Sequence, residues 1–263
     1  MKRGLGHLER QLFAYAQMRK LRALRTADLT SPLRLTRKQE RELLNRLAKA
    51  GMIARVRRGL YLVPPRLPLG GTWSPDEILV LNTLMDDKQG RYQICGPNAF
   101  NLYGFTDQVP ARVYAYNNRI SGDRTVGAVA LTLIKVADAR LGDSVKVRTA
   151  EGQAAVYSSR VRTLVDAVYD WSRFNTLPQA YEWIRAELAA GRVSAKELVR
   201  VTVRYGDIGT VRRMAALLDR AGVDAALLRR LERVLRPSTS LIAWNPARPR
   251  RGTVLRRWGV VWN

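Results

Sequence analysis

Thr36-Arg37-Lys38-Gln39-Glu40-Arg41-Glu42-Leu43-Leu44-Asn45-Arg46-Leu47-Ala48-Lys49-Ala50-Gly51, continued by Met52-Ile53-Ala54-Arg55-Val56-Arg57-Arg58-Gly59-Leu60-Tyr61-Leu62-Val63, decides how this chain is read. Thr36 and Gln39 stand in capping-box spacing, so each side chain can satisfy a backbone N–H that the first helical turn leaves unpaired. A helix therefore starts near Arg37. Leu43, Leu44 and Leu47 fall on one face, and Gly51 supplies the left-handed closing residue. Met52 to Val56 and Leu60 to Val63 then read as two short strands around Arg57-Arg58-Gly59, a hairpin with a basic tip.

Upstream, Leu8, Leu12, Tyr15 and Ala16 keep helical spacing, which predicts an amphipathic helix from Leu8 to about Arg25. Thr26 to Leu29 is expected to form a second, short helix that Ser31-Pro32 ends, because proline disfavours helical geometry in the residue before it. Helix, helix, helix, hairpin is the order of a winged helix-turn-helix. Downstream, Pro64 to Gly71 holds three prolines and two glycines. We place the domain boundary there: residues 1–66, a linker over 67–72, and a second domain over 73–263.

In that larger part a helix is expected from Ser74 to about Met85 and a short strand over Tyr92 to Cys95. A further helix should run from Gly96 through Tyr103, followed by strands at Arg112 to Tyr116, Val129 to Val136, Val145 to Val147 and Ala154 to Tyr157. From Ser159 the period turns helical, with Val161, Leu164, Val165 and Val168 as one stripe. Helices follow over about 177–190, 194–203, 207–221 and 224–235, and Val254 to Trp262 returns as strands. The expected class is α+β: an N-terminal winged helix-turn-helix, then a mixed α/β domain with a helical C-terminal part.

Composition narrows the function. The chain of 263 residues carries 46 Lys and Arg against 22 Asp and Glu, a net +24. Self-repulsion of that size points to a polyanionic partner, with nucleic acid first and an anionic membrane second. Residues 1–66 alone hold 17 cations against 4 acids, a net +13. A second basic zone comes after Glu232, where Arg248, Arg250, Arg251, Arg256 and Arg257 meet no acidic residue. No apolar run has the length of a membrane span or a signal peptide, so a cytoplasmic location is expected. One Cys and one His cannot build a Cys/His metal cluster, and no metal or cofactor is expected.

Lys38, Arg41, Asn45 and Lys49 share the helix face opposite Leu43, Leu44 and Leu47. Such a face fits the major groove, where arginine can donate twice to guanine and asparagine can pair with adenine. Arg41 and Asn45 are the candidates for base reading. Thr36, Arg37, Lys38, Arg46 and Lys49 are candidates for phosphate contacts, and Arg55, Arg57 and Arg58 for the flanking backbone or minor groove.

Several segments resemble the AbiEi family of antitoxins. They are Arg57 to Tyr61, Gly96 to Pro110, Arg162 to Asp166, Gly191 to Val193, Arg204 to Gly206 and Arg257 to Asn263. The likeness implies a bacterial repressor paired with a nucleotidyltransferase-like toxin in a type IV system. Its winged helix would bind inverted repeats upstream of its own operon, and its C-terminal domain would supply antitoxin activity. Leu29-Thr30-Ser31-Pro32 departs from the usual pattern of that family.

The function expected is therefore a non-enzymatic, double-stranded DNA-binding repressor and antitoxin. A metal-dependent nucleic-acid enzyme using Asp138, Asp143, Lys146 and Glu151, and a non-catalytic RNA-binding module, are the alternatives. Arg162 and Asp166, four apart, read as an ordinary surface ion pair. Trp171, Trp183, Trp244, Trp258 and Trp262 read as packing residues more than as base-stacking platforms. His7 reads as a first-turn residue, and Cys95 as a small buried apolar group.

Overall fold

The computed structural model describes residues 6–66, 72–149, 151–236 and 239–263. It is a mixed α/β structure of several helices and three sheets. The linker expected over 67–72 lies outside the described residues except for Thr72.

Helix α1 spans His7–Met18 and buries Leu12, Phe13 and Ala16. It stops short of the expected Arg25, because the chain reverses at Lys20 (φ 54°) and Ala23–Arg25 becomes strand β1. The short helix expected at Thr26 to Leu29 is instead a run of turns. Its cause is Glu40, which is fully buried. The Glu40 carboxylate accepts the Ala27 N–H at 2.7 Å and the Leu29 N–H at 2.9 Å. Those amides need no helical partners, and Ala27 takes φ 86°.

Helix α2 (Arg37–Lys49) starts at the expected box: the Thr36 N–H donates to Gln39 Oε1 at 2.9 Å, and the Gln39 N–H to Thr36 Oγ1 at 3.2 Å. Leu43, Leu44 and Leu47 are buried, and Gly51 closes the helix at φ 68°. Strands β2 (Ala54–Arg57) and β3 (Leu60–Leu62) follow, and the three strands order as β1-β3-β2, all antiparallel, with a bulge between Arg55 and Arg57.

This small sheet has two apolar faces. Tyr61 and Val63 pack with Leu12, Leu24, Leu43, Leu44 and Leu47. Ala54, Val56, Leu60 and Leu62 instead share a core with α3 (Glu77–Asp87) and the inner face of the central sheet. The N-terminal and middle parts are thus joined through buried side chains.

The central sheet and its helices follow in chain order. They are β4 (Tyr92–Ile94), α4 (Gly96–Leu102), β5 (Val113–Asn117), β6 (Gly122–Val126), β7 (Val129–Lys135), a 3₁₀ turn at Asp138–Arg140, β8 (Ser144–Arg148) and β9 (Ala154–Ser158). The six strands order as β6-β7-β5-β4-β9-β8, with β5·β7 and β4·β9 parallel and the other neighbours antiparallel. Strand β6 was not anticipated. All its side chains but Val126 are exposed, so this edge strand carries no apolar alternation.

The helical part comprises α5 (Arg160–Tyr169), α6 (Trp171–Phe174), α7 (Gln179–Ala189), α8 (Ala195–Tyr205), α9 (Ile208–Arg220) and α10 (Ala225–Glu232). It surrounds a third core that includes Val161, Leu164, Val165, Val168, Leu198 and Met214. A small terminal sheet, β10 (Ile242–Ala243), β11 (Thr253–Leu255) and β12 (Val260–Trp262), orders as β10-β12-β11. Trp244 and Trp258 are buried in this core, and Trp171, Trp183 and Trp262 pack against it.

Arg162 and Asp166 are not on the surface. Their side chains are 0% and 1% exposed. Arg162 Nε donates to both Asp166 carboxylate oxygens at 2.9 Å, and Arg140 Nη2 donates to Oδ1 at 2.8 Å. Arg162 also donates to the Gly142 and Arg140 carbonyls at 3.0 Å. Tyr205 and Tyr169 cover the two guanidiniums. The pair ties α5 to the segment before β8, and the spacing rule for surface ion pairs fails because that segment lies over it.

Candidate nucleic-acid interface

The exposed side of α2 and the outer side of the β2–β3 hairpin enclose a concave surface of about 690 Å³. Arg37, Lys38, Arg41 and Asn45 line it from the helix, and Arg55 and Arg58 from the hairpin. Helical spacing of three and four places the first group along one edge. Cross-strand pairing of Arg55 with Tyr61 turns that arginine toward the same side. Five cations therefore face one carboxylate, Glu42.

Two features escaped the sequence reading. Tyr61 is 4% exposed, and its hydroxyl donates to Asn45 Oδ1 at 3.2 Å. That bond orients the Asn45 amide and leaves its NH₂ free to donate outward. Glu42 adds an acceptor among the cations, a group suited to a cytosine amine and repelled by phosphate.

The other candidate residues fall elsewhere. Thr36 is occupied as the cap of α2. Arg46 Nε donates to Glu9 at 2.9 Å. Burial raises the Glu9 pKa, but the Gly6 N–H and Arg46 outweigh it and hold the carboxyl below its usual range. Lys49 is exposed in the last turn of α2, outside the concavity.

Arg57 lies across the bulge from Arg55 and is held by Asp87, at the end of α3. Its Nε and Nη2 donate to that carboxylate at 2.7 and 2.5 Å, and Arg25 Nη1 adds a third bond at 2.8 Å. The hydrogen bond from Arg57, with support from Arg25, outweighs burial and pulls the Asp87 carboxyl well below the usual carboxylate range. Arg57 thus anchors the hairpin to α3.

Of the second basic zone, Arg248, Arg250 and Arg251 are exposed between β10 and β11. Arg256 and Arg257 line a different pocket, beside α9. Arg257 is neutralised by Glu232 at 2.7 Å.

The fold resembles a solved one. The chain is similar to the RV2827C protein from Mycobacterium tuberculosis, whose crystal structure matches 98% of this chain and 92% of that chain with a TM-score of 0.65. Sequence identity is 14%, so the likeness speaks for the fold alone. No family model and no curated protein matches the chain.

The acidic residues of the central sheet do not assemble a centre. Asp138 accepts from Asn118, and Asp143 from Ser159 Oγ at 2.6 Å and Arg200 at 2.6 Å. Lys146 is exposed, and no group of three His, Cys, Asp or Glu among the described residues is placed to hold a metal ion. Cys95 is buried, and His7 is the exposed first residue of α1. Among the described residues no helix is long and apolar enough to cross a membrane.

Proposed function

We propose that this chain is a sequence-specific, double-stranded DNA-binding repressor in which α1, β1, α2 and the β2–β3 hairpin act as a winged helix-turn-helix. The observation that carries the reading is the convergence of Arg37, Lys38, Arg41, Asn45, Arg55 and Arg58 on one concave face. A helix about 10–12 Å across with its side chains fits a major groove about 12 Å wide. With α2 in the groove, Arg41 and Asn45 reach base edges, Arg37 and Lys38 reach phosphates, and Arg55 and Arg58 reach the flanking backbone or minor groove.

The resemblance of the segments from Arg57 to Asn263 to AbiEi antitoxins extends this reading. The protein then autoregulates a toxin–antitoxin operon from inverted repeats in the cytoplasm, without catalysis, and residues 73–263 oppose a nucleotidyltransferase-like toxin.

The test is binding of the full chain to its own upstream duplex and to a scrambled duplex across a salt titration, beside Arg41→Ala/Asn45→Ala. Each lost base contact is expected to remove about 1–3 kcal/mol of discrimination. Salt-sensitive binding to the scrambled duplex should remain. Equal affinity for both duplexes, unchanged in the variant, overturns the reading, and a preference for single strands moves it to RNA.

A further inference from the structure

Arg212 on α9 is a buried cation whose described partners are all neutral. It is 7% exposed. Its Nε donates to the Trp258 carbonyl at 2.7 Å and its Nη2 to the Ser240 carbonyl at 2.5 Å. No carboxylate among the described residues forms an ion pair with it. Burial accordingly pulls the guanidinium pKa down. The contrast is Arg162, also buried but held by Asp166. Burying a charge without a counter-charge is costly, so an anion that reaches such a group relieves part of that cost.

The surroundings supply the rest of a site. Arg212 lines a pocket of about 470 Å³ together with Arg236, Arg256, Arg257 and Glu232. Glu232 is taken up by Arg257, at 2.7 Å. Arg236 and Arg256 are exposed and, among the described residues, unpaired. Three uncompensated guanidiniums therefore share one concavity. Gly259 makes the approach of Arg212 possible: at φ 61° it carries no Cβ, and a Cβ there would collide with Arg212 Nη2.

We infer that this pocket binds an oligophosphate group. Guanidinium forks match phosphoryl oxygens in paired hydrogen bonds, which a lysine cluster does not reproduce. The volume falls within the range of about 300–1,000 Å³ typical of ligand sites, more than a single small anion needs. A free nucleotide carries such a group, whereas a nucleic-acid backbone offers single phosphodiesters set apart by sugars. The inference stands on Arg212, Arg236, Arg256 and Gly259 and is independent of the role assigned to α2.

Calorimetric titration of the full chain with sodium tripolyphosphate tests it, using Arg236→Ala/Arg256→Ala and a control, Arg248→Ala/Arg251→Ala, that removes equal charge from outside the pocket. Saturable binding is expected, weakened at least about tenfold in the pocket variant and less than about threefold in the control. Tripolyphosphate should also raise the Tm of the parent and the control more than that of the pocket variant. Competition by ATP assigns the group to a free nucleotide, and competition by a short oligonucleotide but not by ATP overturns the inference. Equal weakening in both variants, or no saturable binding, overturns the inference.

Discussion

Asp87→Asn removes one charge and keeps the shape of the side chain that fastens the hairpin to α3. In the parent, the Asp87 side chain is 3% exposed and accepts two bonds from Arg57 and one from Arg25. Hydrogen bonds to charged groups contribute about 1.5–3 kcal/mol each. Arg25 and Arg57 are themselves 56% and 40% exposed, so solvent screens much of that gain. A net loss of about 1–3 kcal/mol is expected from urea unfolding at pH 7.

The pH dependence gives the sharper check. The folded-state pKa of Asp87 lies below its unfolded value, so its contribution is complete above the unfolded value of about 3.9 and fades as pH falls toward the folded one. The gap between parent and variant should be constant from pH 8 to about pH 5 and narrow below about pH 4. A gap under about 0.5 kcal/mol at pH 7, or one that ignores pH down to the acid limit, refutes the reasoning.

Three further outcomes follow from the same geometry. Glu40→Gln should cost about 1–3 kcal/mol, since two backbone amides lose a buried carboxylate; a Tm equal to the parent's contradicts the account of the turn. A fragment ending at Arg66 bares Ala54, Val56, Leu60 and Leu62, so it should lack a cooperative thermal transition by circular dichroism; a sharp transition would show that the hairpin needs no cover. Asp166→Ala should cost about 3–5 kcal/mol by leaving two guanidiniums buried, whereas Arg162→Met/Asp166→Leu should cost less; the reverse order in denaturant titration disproves the buried network.

Local signals were legible where the partner of each group lies within a few residues. Thr36 and Gln39 cap α2 from three residues apart, Gly51 closes it, and the stripe of α5 packs as its spacing says. The shared side of Lys38, Arg41 and Asn45 was legible for the same reason, while Lys49, expected with them, falls outside the concavity and Arg37 joins it. What was hidden depends on groups distant in sequence. Glu40 dismantles the expected helix at Thr26 to Leu29, Asp87 withdraws Arg57 from the basic face, and Arg140 helps to bury Asp166. Strand β6 was invisible because an edge strand with exposed side chains has no apolar period.

The placement of β4 has a consequence for synthesis on the ribosome. Ile94 pairs in parallel with Tyr157, and that ladder adds β9 and β8 to one side of the sheet. The nascent chain holds the β2–β3 hairpin long before this half exists, and Ala155 of β9, which shares the hairpin's buried cluster, emerges only with it. Pairings between segments so far apart form slowly. During that interval the sticky side of the hairpin is the surface on which a trigger chaperone, or a misdirected neighbour, would act first.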